Sequence, residues 1–180
     1  TRRSPRAERA GAVNTLTFAG GEIHGDNTDG AGLVRDIEAN LGFALAGKRV
    51  LLLGAGGAAR GVIAPLLACR PASLFIANRS ADKAEALARQ FSDIAAVDAG
   101  NFAKTAGGSF DVVINATSAS LAGEALPLPA GIFAPGSLAY DMMYGKGETP
   151  FLTLARAEGA AQLADGLGML VEQAAEAFLV

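Results

Sequence analysis

The 180 residues fit one ordinary domain or slightly more, and 51% of them are hydrophobic, enough for a substantial core; this excludes a disordered chain. A formal charge of −3 with only 18% charged residues leaves no broad cationic face for a phosphodiester backbone, so nucleic acid is not an expected partner. The single cysteine, Cys69, can form neither an internal disulfide nor a cysteine-based metal site, and no apolar run reaches the roughly 18 residues of a membrane span; a cytoplasmic protein without membrane or metal is the expectation.

The first residues lack an initiator Met and the charged-then-apolar order of a signal peptide, as expected of a chain cut from a longer one. Arg2, Arg3, Arg6 and Arg9 make this end basic; a solvated surface is the plain reading and an anion site the alternative. From Val13 to Asp26 the pattern is a β-hairpin. Leu16 and Phe18 alternate with Thr15 and Thr17, and Gly20-Gly21 supplies the turn. Asn14 shares the parity of Leu16 and Phe18, the side expected to be buried or to line a cleft, where its amide needs a partner. Asn27-Thr28-Asp29-Gly30 then opens a connecting helix carrying Leu33, Val34 and Ile37, with Leu41 one turn beyond. Asp29 at its start is either a capping carboxylate or a group that binds substrate or orients an acid-base partner. His24, the only histidine, lacks an evident carboxylate partner and reads as structural; Cys69 reads as a small core residue.

After Gly47 short apolar strands alternate with helices, the mark of a parallel sheet covered on both faces. Strands are expected at Val50 to Leu53, Leu74 to Ala77, Ile94 to Val97, Val112 to Asn115, Leu138 to Asp141 and Ala161 to Ala164. Helices are expected from Ala58 to Cys69, from Ala81 to Phe91 and after Thr149. Pro65 should kink the first of these. The proline-bearing stretch from Ala119 to Pro135 is expected to be a loop. In the last segment Leu167, Leu170, Val171, Ala174 and Phe178 form a stripe expected to pack on a core. Met169 and Gln173 lie on a neighbouring face, either aimed at a cleft or, respectively, core and solvent-facing.

Gly54-Ala55-Gly56-Gly57-Ala58-Ala59 follows one of these strands and runs into a helix, matching G-x-G-x-x-G/A in the context a dinucleotide fingerprint requires. The glycines let the backbone approach a pyrophosphate, whose charge the free amides of the helix start stabilise. At the end of the next strand, where NAD enzymes place a carboxylate for the ribose hydroxyl, the residues are Asn78-Arg79-Ser80, with Lys83 one turn on. A guanidinium pairs with a 2′-phosphate, so NADP is expected over NAD; the plain alternative is exposed helix-start residues. Asn115-Ala116-Thr117-Ser118 closes the fourth strand at the ligand edge, where Ala116, Thr117 and Ser118 can border the cofactor. Tyr140 to Tyr144 closes the fifth; Tyr144 is either a donor to substrate or a packing tyrosine.

Together these motifs, with Gly11 to Thr15 and Asp165 to Ala175, resemble the shikimate dehydrogenase family from Gly11 onward. The resemblance implies an α/β chain with a Rossmann-type, doubly wound parallel sheet. It implies four parts: residues 1–28 as a remnant of a substrate domain, 29–40 as the connecting helix, 41–165 as the NADP-binding domain, and 166–180 as a helix returning to the substrate domain. It implies that Asn14 and Asp29 contact substrate hydroxyls, with Asp29 the acidic member of a catalytic pair. Tyr144 and Gln173 would complete the substrate side, and Met142, Gly166 and Met169 would lie near the nicotinamide. The implied reaction is NADPH-dependent reduction of 3-dehydroshikimate to shikimate, by a monomer or homodimer. The paired lysine and the serines for the substrate carboxylate belong to an N-terminal region outside these residues, so little turnover by this chain alone is expected. Ser120 stands where the family often has glycine, which leaves the local loop conformation open. Two other readings remain: a quinate and shikimate dehydrogenase preferring NAD, and a noncatalytic dinucleotide-binding module.

Overall fold

Ser4-Pro5 is a helix-start pair, and in the computed structural model, which describes residues 2–180, it opens α1 (Pro5–Ala10) after the short strand β1 (Arg2–Arg3). The Ser4 hydroxyl accepts from the Ala7 amide, and Gly11 in the left-handed region (φ 60°) closes the helix. The hairpin is β2 (Thr15–Ala19) and β3 (Glu22–Asp26), joined by Gly20 and Gly21, both at positive φ as a tight turn of this hand requires. With β1 these form a three-stranded sheet in the order β1-β3-β2.

The hairpin's covered face is the opposite of the expected one. Leu16 and Phe18 are 57% and 72% exposed, while Thr15 and Thr17 are half-buried. Thr15 pairs in register with Asp26, and Asp26 is bound by Ser4 and Arg6 of α1. The helix therefore lies on the threonine side, held by charge and hydroxyl groups. Among the described residues nothing buries the apolar side.

The connecting helix forms as α2 (Asp29–Arg35) and widens into a π turn at Asp36–Asn40, with Leu33 and Ile37 fully buried. The second sheet follows: β4 (Arg49–Leu53), α3 (Gly57–Ala68), β5 (Ser73–Ala77), α4 (Ala81–Arg89), β6 (Asp98–Gly100), β7 (Phe110–Asn115), β8 (Phe133–Asp141), α5 (Pro150–Ala157), β9 (Gln162–Ala164) and α6 (Leu167–Ala177). All six strands are parallel, in the order β6-β5-β4-β7-β8-β9, a doubly wound arrangement that reverses direction beside β4. Strand parity divides the core into two layers: Val50 and Leu52 pack on one side of β4, Leu51 and Leu53 on the other. Each of these fully buried side chains stabilises the fold by about 1.5–3 kcal/mol.

Three local expectations are corrected. The strand placed at Ile94–Val97 lies at Asp98–Gly100, because the amides of Ile94 and Ala95 donate to the Phe91 carbonyl in a turn that closes α4. The stretch from Ala119 to Pro135 is not wholly loop: it starts with a 3₁₀ turn (Ala119–Ala122), and Pro135 lies inside β8. It is tolerated there because the β7–β8 register shifts between the pairs Phe110–Phe133 and Val112–Leu138, a bulge that frees the position from ladder bonding. Helix α3 continues through Pro65, so the proline does not end it. Finally, Leu167, Val171 and Phe178 of the expected core stripe are exposed, Phe178 at 91%. A Cβ on Gly32 would come within 2.8 Å of the Gln173 Cβ and the Met169 carbonyl, so the Met169–Gln173 side of α6 faces α2 instead.

At the opposite end of the sheet Arg49 and Asp111 join β4 to β7. The carboxylate accepts from the Arg49 amide at 2.8 Å and from its guanidinium at 2.9 and 3.0 Å. Arg49 holds the Asp111 carboxyl down at about 2, below its ordinary 3.8. A depressed folded-state pKa contributes stability above 3.8 that is lost as pH falls towards about 2. Melting temperatures of wild type and Asp111→Asn across that interval are therefore expected to converge as pH falls; parallel curves would contradict this linkage.

Candidate functional site

The switch point beside β4 opens a crevice of about 680 Å³ at the carboxyl ends of the strands. Gly54, at φ 113°, is required by packing as well as by backbone: a Cβ there would sit 3.0 Å from the Ala116 carbonyl oxygen. Gly56 and Gly57 are different. A Cβ on either would meet no protein atom, so the space before the helix is left for something else to approach. Gly56 caps α3 without a side-chain acceptor, leaving the first-turn amides available to an anion.

Gly54, Ala55, Gly56, Gly57, Ala58, Asn78, Arg79, Ala116, Thr117 and Ser118 all line this crevice. Asn78 shapes the turn after β5 by donating to the Ser80 carbonyl at 3.0 Å. Arg79 is exposed, and the ion pairs of the described residues do not involve it. An unengaged guanidinium fits a doubly charged phosphate at the rim. Ser80, at the start of α4, and the exposed Lys83 do not form part of the crevice wall.

On the other flank Met142 is buried with Tyr140 in the core, whereas Met143 lines the crevice. The sequence contained the signal: alternation along β8 places Met142 on the side of Tyr140. Met169 is likewise buried in the core. Gly166 seals the strand end, since its Cβ would lie 2.1 Å from the Met142 carbonyl oxygen.

A buried carboxylate that sequence reading missed organises this flank. Asp141 is fully buried and accepts from the Asn115 amide (3.0 Å), the hydroxyls of Ser120 (2.7 Å) and Thr149 (2.6 Å), and the Met143 amide (3.0 Å). Asn115 accepts in turn from the Thr117 hydroxyl at 2.7 Å and the Thr117 amide at 3.0 Å. Asn115 and Asp141 are register partners on β7 and β8, a pairing visible only once the sheet is assembled. Ser120 resolves the open loop question. Its hydroxyl serves Asp141, and Arg70 is the only non-glycine at positive φ among the described residues, so position 120 needs no glycine.

Asn14, Asp29 and Gln173 come together where the hairpin meets α2 and α6. The Asn14 side-chain nitrogen donates to Asp29 Oδ1 (2.8 Å), Thr28 Oγ1 (3.1 Å) and Gln173 Oε1 (3.2 Å), while Asn14 Oδ1 accepts from the Thr28 amide (3.0 Å). Gln173 reaches this point because Gly32 lets α6 lie directly on α2. Asp29 is the first residue of α2 and not its cap, which is Thr28. Its other oxygen accepts from Asn27 at 3.4 Å. Burial pushes the Asp29 carboxyl above its ordinary value, opposed by hydrogen bonds from Asn14 and Asn27.

Helix α3 connects this cluster with the crevice. A Cβ on Gly61, about one turn past the glycine-rich loop, would lie 3.1 Å from Asp29 Cβ. Tyr144 is half exposed and outside the hydrogen-bonded cluster. His24 has the partner its sequence context did not reveal, Glu22 at 3.3 Å. Cys69 is half-buried and donates to the Pro65 carbonyl.

The sequence model of the family described as Shikimate / quinate 5-dehydrogenase matches residues 37–122. The shikimate dehydrogenase (NADP(+)) of Dechloromonas aromatica is 78% identical over 100% of this chain and 66% of that protein. The enzyme of the same name from Methylobacillus flagellatus is 66% identical over 100% of this chain and 67% of its own length. Among solved structures, shikimate 5-dehydrogenase from Thermus thermophilus, in complex with NADP(H) and shikimate, superposes with a TM-score of 0.84 at 35% identity, over 98% of this chain and 64% of that one. The chain spans about two thirds of the length of the relatives it matches. With crevice, unengaged arginine and buried aspartate arranged as described, the chain belongs to the shikimate / quinate 5-dehydrogenase family.

Proposed function

We propose that this chain is the cofactor-binding part of an NADP-dependent shikimate dehydrogenase, which interconverts 3-dehydroshikimate and shikimate in the cytoplasm. The observation that carries the reading is the position of Asp29, desolvated within a cluster of amides and set against the helix whose first turn frames the crevice. When bound, NADPH would supply the hydride that, together with one proton, turns the ketone of 3-dehydroshikimate into the secondary alcohol of shikimate.

The residues of this chain hold the reactants and the proton. The first-turn amides of α3 would hold the pyrophosphate, Arg79 would pair with the 2′-phosphate, and Thr117, Ser118 and Met143 would hold the nicotinamide end. Asn14 and Gln173 present amide groups suited to a ring carrying several hydroxyls. Asp29 holds a proton at its carboxyl group, shared with a lysine supplied from outside these residues. Tyr144, half exposed on the loop after β8, supplies in this reading a phenol that can donate to substrate.

Direct titration tests the cofactor assignment. This chain is expected to bind NADP more tightly than NAD, and Arg79→Ala should reduce that ratio by about 10- to 100-fold, the contribution of a charge-assisted hydrogen-bond set. An unchanged ratio would remove the basis for NADP and favour the NAD-preferring alternative.

A further inference from the structure

Asn27 is 4% exposed and engages its whole amide in the turn that presents Asp29. Its Oδ1 accepts from the Asp29 backbone amide at 3.2 Å, and its Nδ2 donates to Asp29 Oδ2 at 3.4 Å and to the Ala12 carbonyl at 3.3 Å. One side chain thus ties Asp29 to the segment that delivers Asn14. Helix α3 presses on the same amide from the other side. A Cβ on Gly61 would lie 2.8 Å from Asn27 Oδ1 and 3.0 Å from its Nδ2. Pro65 contributes to this close fit: lacking an N–H, it leaves the Gly61 carbonyl without its helical donor, and that oxygen would stand 2.6 Å from a Cβ on Gly30. The helix that begins at the dinucleotide turn therefore bears, through a glycine, on the side chain that orients the aspartate.

We infer that Asn27 is a positioning residue for Asp29, and that the Gly61 contact is where helix α3 fixes that position relative to the cofactor. The inference rests on the acid-base role proposed for Asp29. Neither residue borders the dinucleotide crevice, so both act on the chemical step and not on cofactor affinity. The charged groups on the surrounding elements are engaged elsewhere: Asp26 of β3 with Arg6 of α1, Glu176 of α6 with Arg6 and Arg35, and Arg60 of α3 with Gln90. Among the described residues Asp29 thus faces neutral amides, and a new charge at position 27 would be felt directly.

The test uses the full-length protein that carries this chain. Asn27→Asp replaces the donor beside Asp29 by a second carboxylate; kcat is expected to fall at least about tenfold, with the acidic limb of its pH profile moved upward and KM for NADP unchanged. Gly61→Ala, on the helix side of the same contact, should give the same split of kcat from KM without the charge, and it decides the matter if the first variant does not fold. Wild-type kcat and pH profile in the folded variants would overturn the inference, as would a fall in kcat matched by lost NADP affinity. Asp29→Asn separates the two levels: if it is inactive while Asn27→Asp is unchanged, only the positioning role fails. If Asp29→Asn retains turnover, the proposed role of Asp29 fails and the inference with it.

Discussion

Asp29→Asn is expected to lower turnover of the full-length enzyme by about 10²- to 10⁴-fold while leaving NADP affinity unchanged, the size of effect associated with a positioned proton-transfer group. Asparagine keeps the shape of the side chain and an acceptor for the Asn14 amide, so the cluster with Gln173 should survive. What it loses is the ability to exchange a proton at that atom. Burial raises the Asp29 carboxyl in this chain, so direct titration of Asp29 here should find its midpoint above 3.8, and the acidic limb of the full-length profile in the direction of shikimate oxidation should report the same group. The sign follows from the reaction: oxidation needs the carboxylate free to receive a proton, so the rate climbs as pH passes the raised midpoint. Stopped-flow and steady-state measurements on wild type and variant, with cofactor titration as control, check both statements. Turnover within a few-fold of wild type in Asp29→Asn would mean the carboxylate carries no proton in the reaction.

Gly30→Ala is expected to destabilise the fold by about 3 kcal/mol, since its Cβ would stand 2.2 Å from the Pro65 ring and 2.6 Å from the Gly61 carbonyl oxygen, backbone that cannot step aside. For a chain of this length that corresponds to roughly 10 °C in melting temperature. The informative comparison is Gly56→Ala. Gly56 has φ −85°, a conformation alanine adopts freely, and a Cβ there would meet no protein atom. Its stability should stay close to wild type while NADP affinity falls, because the methyl group would occupy space meant for the pyrophosphate. On this expectation Gly30 serves packing between helices, and Gly56 serves the proposed ligand. Calorimetric unfolding and cofactor titration of the two variants should give opposite patterns.

Much of this arrangement was legible in the sequence because local chemistry and global fold agree there. The apolar run at Val50–Leu53, the glycine turn and the helix after it form a unit whose order leaves little choice. Arg79 at the crevice follows from that unit alone. What the sequence could not decide was which face of an alternating element is covered. Leu16 and Phe18 share a face of the hairpin as their spacing requires, but α1 binds the other face through Asp26. The stripe of α6 is equally regular, and it stays exposed because Gly32 admits the helix on its Met169–Gln173 side. Alternation reports which residues travel together; long-range packing chooses where they point. Asp141 was missed for a related reason. Its donors come from β7, the turn after it and the start of α5, positions that become neighbours only when the sheet closes.

If the crevice holds NADP where the Asn14–Asp29–Gln173 cluster presents shikimate, oxidation of that alcohol must reduce the cofactor. Mixing the full-length protein with shikimate and NADP, and following nicotinamide absorbance, tests this most directly. The expected result is shikimate-dependent formation of NADPH, with NAD a markedly poorer acceptor. Tight binding of NADP with no shikimate-dependent reduction would contradict it and identify a dinucleotide-binding module without this chemistry.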